Sequence, residues 1–237
     1  MEIKNLIIKN SFDESLSCVF RDCDSSKPVV ITLHALSGKK ENRSIHSLAE
    51  NLPDEDFNTL EFDFSGHGES EGNIVESTIT KQLSDLKSVI DYFKFEKVIL
   101  VGNSFSVIAA LAFAELHSDL VSGLVLISGR ADYLKFCDNT RKDNYKLFGD
   151  DFLDEDYLAD YMKYNPLEAI NKLNIPVAIV HGTCDDVIPF SDAKKFFDVS
   201  PSLSKELISI KDGAHRFDDK SRLEMFDKVS AFLKKTF

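Results

Sequence analysis

Two hydrophobic rhythms alternate along the chain. Short runs rich in β-branched and aromatic residues read as strands at Val29–Leu33, Phe57–Phe62, Lys97–Val101, Leu120–Ile127, Ile175–Val180 and Glu206–Ile210. Several are apolar without alternation, the pattern of strands covered on both faces of a parallel sheet. Between them the period lengthens. Ile79, Leu83, Leu86, Ile90 and Phe93 fall three or four residues apart and predict a helix with one apolar face, and Leu223, Phe226, Val229 and Leu233 predict another at the C-terminus. The first 22 residues place Ile3, Leu6 and Ile8, then Leu16, Cys18 and Phe20, as an antiparallel hairpin at one edge. Strand–helix alternation with right-handed crossovers predicts an α/β fold, a mostly parallel central sheet with helices on both faces.

One stretch breaks the alternation. Residues 130–174 form a connection far longer than usual within a single domain spanning 1–237. The insertion holds Tyr133, Tyr145, Tyr157, Tyr161 and Tyr164, five of the six tyrosines, together with Phe136, Phe148 and Phe152. It reads as a helical lid or cap whose aromatics line a pocket over the sheet, against the plainer alternative of a small subdomain packed on itself.

Composition narrows the class. Lys and Arg number 28 against 40 Asp and Glu, a net charge of −12, which leaves no basic excess for nucleic acid. The longest apolar run, Val107–Ala114, is eight residues and too short to span a bilayer. The N-terminus lacks the basic start and long apolar stretch of a signal peptide. Cys18, Cys23, Cys137 and Cys184 form no CxxC pair and are too sparse for a disulfide scaffold, so reduced thiols and a cytoplasmic location are expected.

The candidate chemistry centres on Gly102-Asn103-Ser104-Phe105-Ser106, where an apolar strand runs straight into an apolar helix. A nucleophile on such a sharp turn needs small flanking residues, and its hydroxyl stands at a helix N-terminus where backbone N–H groups can stabilise an oxyanion. The alternative is an ordinary capping serine. A serine hydroxyl also needs a base. Of six histidines, His215 lies in a polar loop after the last strand, where ligands gather in parallel sheets; His46 and His117 fall in predicted helices and read as surface or packing residues. The acid that orients the base is sought in the loop after Ile175–Val180, where Asp185 is preferred and Asp186 is the alternative. The order Ser104, Asp185, His215 is Ser…Asp…His.

These residues, with His34-Ala-Leu-Ser-Gly, Asp63-Phe-Ser-Gly-His-Gly-Glu-Ser and His181-Gly-x-x-Asp, carry a resemblance over nearly the whole chain to the α/β-hydrolase superfamily. Within it the chain is similar to small bacterial esterases of the cinnamoyl and feruloyl type. The resemblance implies an oxyanion hole made by the N–H groups of Leu36 and Phe105. Two departures stand out: Ala35 and Ser106 each occupy a position where the family usually has Gly.

The expected activity is a serine hydrolase cleaving small or medium carboxylic esters through an acyl-enzyme, with an aromatic acyl group suited to the insert. Thioesterase, acyltransferase or aminopeptidase chemistry on the same triad is an alternative, as is a catalytically silent binding protein. No cofactor or metal is expected. His34, His67, His181 and His215 lack metal-ligand spacing, with His34 and His181 bonding within their own loops. The glycines from Asp63 onward read as a tight turn, and Cys184 as a buried thiol. The expected partner is a small-molecule ester, with neither nucleic acid nor a membrane span, and a homodimer is left open.

Overall fold

A computed structural model describes residues 1–146 and 152–237. Eight strands form one sheet: β1 (Glu2–Lys9), β2 (Ser15–Asp22), β3 (Val29–Leu33), β4 (Asn58–Phe62), β5 (Val98–Asn103), β6 (Val121–Ile127), β7 (Val177–Gly182) and β8 (Lys205–Ile210), in the order β1-β2-β4-β3-β5-β6-β7-β8. The hairpin β1–β2 pairs antiparallel and joins β4 antiparallel; every pairing from β4 to β8 is parallel.

The continuous apolar character of the central strands follows from burial on both sides. In β5, Val98 and Leu100 join the core on one face of the sheet, while Ile99 and Val101 join the core on the other. Helices α2 (Ile79–Phe93) and α3 (Ser106–Leu116) cover the first face, and α1 (Arg43–Asn51) and α8 (Asp219–Thr236) the second. Strands β5 and β7 run past their expected ends, to Asn103 and Gly182, because their ladders continue opposite Ile127 and Ile210.

Helix α8 differs in detail from the expected stripe. Its buried face is Met225, Val229, Phe232 and Leu233, whereas Leu223 is exposed and Phe226 half-buried. The true face retains the 3.6-residue period but is rotated from the one counted through Leu223.

Between β6 and β7 lie α4 (Tyr133–Lys142), α5 (Glu155–Tyr161) and α6 (Pro166–Asn171); α7 (Phe190–Val199) follows β7. Each of α4, α5 and α6 begins at an Asp or Asn cap: Asp132, Asp154 and Asn165 accept N–H groups of the first turn. Cys137, Leu153, Tyr157, Leu158 and Tyr161 belong to the same core as α2 and α3. A carboxylate fastens the segment to α2: Asp160 accepts the Thr80 N–H at 2.9 Å and the Thr80 hydroxyl at 2.5 Å. Tyr157 and Tyr161 are buried, Tyr133, Phe136, Tyr145 and Tyr164 are half-buried, and Phe152 is exposed. Phe148 lies outside the described residues.

Candidate active site

The turn from β5 to α3 is tight. Ser104 has φ 55°, a left-handed conformation that costs a non-glycine residue roughly 1–3 kcal/mol and persists only where surrounding structure holds it. Two features hold it. The Ser104 N–H donates to Ile127 O at 2.8 Å, and α3 packs so closely that a Cβ on Gly102 would lie 2.9 Å from Val107 Cα. The result presents the Ser104 side chain at the carboxyl end of the sheet.

The residues singled out in the sequence come together there. Ser104 Oγ lies 3.0 Å from His215 Nε2, and His215 Nδ1 lies 2.8 Å from Asp185 Oδ2. Of the two candidate acids, Asp186 is exposed, whereas the Asp185 side chain, which faces His215, is wholly buried. Its other oxygen accepts the N–H groups of Val187 at 2.9 Å and Ile188 at 2.7 Å. Burial disfavours the charged carboxylate, but hydrogen bonds from His181, His215 and the Ile188 amide outweigh it and hold the carboxyl well below its usual range. An ionised Asp185 accepts from His215 Nδ1–H, which leaves Nε2 free to accept the serine proton.

The loops carrying Asp185 and His215 are fastened to each other. Thr183 N–H donates to Ile210 O at 2.9 Å, Cys184 N–H to Gly213 O at 3.0 Å, and Asp212 N–H to Thr183 Oγ1 at 2.8 Å. Cys184 is exposed, contrary to the expected buried thiol. In the turn after β7 the neighbouring Asp185 takes the interior position and leaves the thiol on the solvent side.

Leu36 and Phe105 are half-buried, and neither N–H donates to a backbone carbonyl among the described residues. The loop carrying Leu36 is braced twice. His34 Nε2 accepts the Phe64 N–H at 3.0 Å, which assigns the proton to Nδ1, and Nδ1–H donates to Ala35 O at 2.9 Å. Burial, with His67 alongside, pushes the His34 pKa down to about 4, so the ring is neutral near pH 7. Further along, Asp63 accepts the Lys40 N–H at 2.6 Å and pairs with Lys40 Nζ at 2.9 Å. The glycine-containing segment after Asp63 is a tight turn around that carboxylate: Gly68 has φ 54°, and a Cβ there would strike Asp63.

His181 bonds within its loop, Nε2 lying 2.9 Å from Ile188 O and 3.2 Å from Asp185. His117 stands just after α3 rather than within it, 4.5 Å from the Phe113 ring. His46 lies in α1, as expected, and is half-buried. Its Nδ1 lies 2.8 Å from the buried Glu61, which also pairs with Arg21 at 2.8 Å. Lys40, Asp160 and the Arg21–Glu61 pair escaped sequence reasoning because each looks like an ordinary charged residue until the fold supplies its partner.

Aromatic rings gather beside Ser104. Phe105 lies 5.3 Å from Phe136 and 5.1 Å from Tyr161, and Tyr157 is 6.4 Å away. The Tyr157 hydroxyl is buried with no hydrogen-bond partner among the described residues. A cavity of about 120 Å³ lies along α3 and α6, lined by Ile108, Ala112, Tyr164 and Pro166 among others but by none of Ser104, Asp185 and His215. No group of three or more His, Cys, Asp or Glu among the described residues is arranged to hold a metal ion, and no described helix is long and apolar enough to cross a membrane.

The uncharacterized protein YfhR of Salmonella typhimurium is 31% identical over 201 residues, covering 78% of this chain and 64% of that protein. The human mitochondrial palmitoyl-protein thioesterase ABHD10 is 25% identical over 182 residues, covering 70% of this chain and 60% of that protein. The chain thus spans less than two thirds of the length of these relatives. Among solved structures, Est1E from Butyrivibrio proteoclasticus with bound ferulic acid superposes with a TM-score of 0.85 at 23% identity, covering 98% of both chains. Mouse alpha/beta hydrolase domain-containing protein 10 superposes at 0.83 with 19% identity over 99% of both chains. The family model for the alpha/beta hydrolase fold matches residues 28–160, more than half of the sequence, and the chain belongs to that family.

Proposed function

We propose that the protein is a serine hydrolase that cleaves small or medium carboxylic esters through an acyl-enzyme intermediate. The observation that carries the reading is the continuous chain Ser104 Oγ to His215 Nε2 at 3.0 Å and His215 Nδ1 to Asp185 at 2.8 Å. In this mechanism Ser104 Oγ attacks the ester carbonyl carbon while His215 Nε2 takes its proton. The N–H groups of Leu36 and Phe105 stabilise the oxyanion. Collapse breaks the C–O bond to the alcohol, which leaves with the proton from His215. Water, deprotonated by His215, then attacks the acyl carbon and frees the acid and Ser104.

The segment 130–174 acts as the lid of the site. Phe136 and Tyr161 pack on Phe105, the residue after the nucleophile, which favours an aromatic or apolar acyl group. Thioester hydrolysis on the same triad is the second reading, favoured by the similarity to a palmitoyl-protein thioesterase.

The test is hydrolysis of p-nitrophenyl esters from acetyl to long-chain acyl, alongside a matched thioester series, by wild type and Ser104→Ala. Turnover lost in Ser104→Ala supports the serine mechanism, and the relative rates on ester and thioester decide between the readings. A wild type that turns over neither series and takes no fluorophosphonate label contradicts both.

A further inference from the structure

Ser106 stands where the family's usual residue is glycine, and its side chain is fully buried. Its hydroxyl accepts the Asn103 N–H at 2.9 Å and donates to Leu33 O at 2.7 Å, with Asn103 O at 3.1 Å. These partners lie at the ends of adjacent parallel strands, where Leu33 is paired with Gly102 in the last register of β3 and β5. One residue beyond the end of β5, the Ser104 N–H turns the other way and donates to Ile127 of β6. Successive N–H groups of a strand point to opposite sides, so the Asn103 N–H faces β3. There the Ser106 hydroxyl stands between it and the Leu33 carbonyl.

We infer that Ser106 is a positioning residue that acts as the final rung of the β3–β5 ladder, a hydroxyl relay from Asn103 N–H to Leu33 C=O. The inference rests on the serine-hydrolase reading. Asn103 immediately precedes the nucleophile, and Leu33 immediately precedes His34-Ala35-Leu36. The relay therefore fixes the separation of the two segments that carry the oxyanion donors, Phe105 and Leu36. A glycine at 106 supplies no such bond and leaves a buried N–H and a buried carbonyl without this partner. The hydroxyl touches neither substrate nor His215. Its effect is felt where charge develops on the oxyanion, because catalysis there depends on donor placement to a fraction of an ångström.

The test compares wild type, Ser106→Ala and Ser106→Gly on p-nitrophenyl acetate, with thermal unfolding measured in parallel and affinity measured for phenylboronic acid, which forms a tetrahedral adduct on a nucleophilic serine. The expected result is a fall in kcat of about tenfold to hundredfold with KM within about twofold, and a matching loss of boronate affinity. Glycine is small and is the family's own residue, so Ser106→Gly serves if the alanine variant folds poorly. Unchanged kcat and boronate affinity in a folded variant overturn the relay, even if its melting temperature falls. An equal rise in KM with kcat intact also overturns it, because that is a loss of substrate binding rather than of oxyanion placement. A wild type with neither turnover nor fluorophosphonate labelling removes the hydrolase reading and the relay together. An active wild type with unimpaired variants removes the relay alone.

Discussion

A Cβ on Gly182 would lie 2.1 Å from the carbonyl oxygen of Gly213, so the chains leaving β7 and β8 meet where only glycine fits. Asp185 is three residues beyond the first glycine and His215 two beyond the second. Their 2.8 Å hydrogen bond therefore depends on this backbone approach as much as on either side chain. Gly182→Ala is expected to force the loops apart, destabilising the fold by about 1–3 kcal/mol and lowering kcat while Ser104 remains in place. Urea unfolding and ester turnover measured together check this. Full activity in the alanine variant would mean the contact does not set the distance.

Asp185→Asn should leave the loop contacts nearly intact and cut kcat by about 10³- to 10⁴-fold, because an amide facing His215 stabilises the tautomer whose Nε2 cannot accept the serine proton. The same substitution has a signature in stability. The folded carboxyl lies below its unfolded value, so its stabilisation is complete above about pH 4 and is lost as pH falls through the folded value. The stability gap between wild type and variant should close in acid below about pH 4. A gap constant from pH 7 to pH 2 would contradict the assignment.

His34 carries the opposite charge logic. Burial, then His67, lowers its pKa from an ordinary 6.5 to about 4, so between those values the unfolded chain binds a proton that the folded chain does not. Stability is therefore complete above about pH 6.5 and falls as pH drops toward 4, by on the order of 3 kcal/mol across the window. Denaturant unfolding at intervals over this range measures the slope. His34→Gln, although less stable throughout, should flatten it. A slope unaltered by the substitution would assign the proton uptake elsewhere.

Tyr157→Phe removes a buried hydroxyl that has no partner among the described residues. The desolvation cost of that hydroxyl disappears while the ring and its packing on Phe105 remain, so the variant is expected to be unchanged or up to about 1 kcal/mol more stable. Equilibrium unfolding gives the sign directly. A loss of more than about 1 kcal/mol would show that the hydroxyl is satisfied in solution.

Ser104, Asp185 and His215 are legible as candidates in the sequence because each follows the end of an apolar run, and such runs mark strands whose carboxyl ends converge. The strand limits differ from the expected ones by only a residue or two, and the edge hairpin and α2 occupy the expected segments. Features that depend on which side of a loop faces inward are not legible. Cys184 and Asp185 are adjacent, and only the fold decides which is buried. Leu223 fits the apolar period of α8 as a letter, yet lies outside the face that meets the sheet.

Sequence alone determined the class of fold and the chemical identity of the three candidate residues, because hydrophobic period and motif spacing are local properties that survive without coordinates. Tertiary structure decided that Asp185 rather than Asp186 faces His215, that the hydroxyl of Ser106 reaches Leu33 across 73 residues of chain, and that Thr80 bonds Asp160 across 80. Those contacts join residues remote in sequence, and their distances arise only when the strands take their order in the sheet. No local period encodes that order.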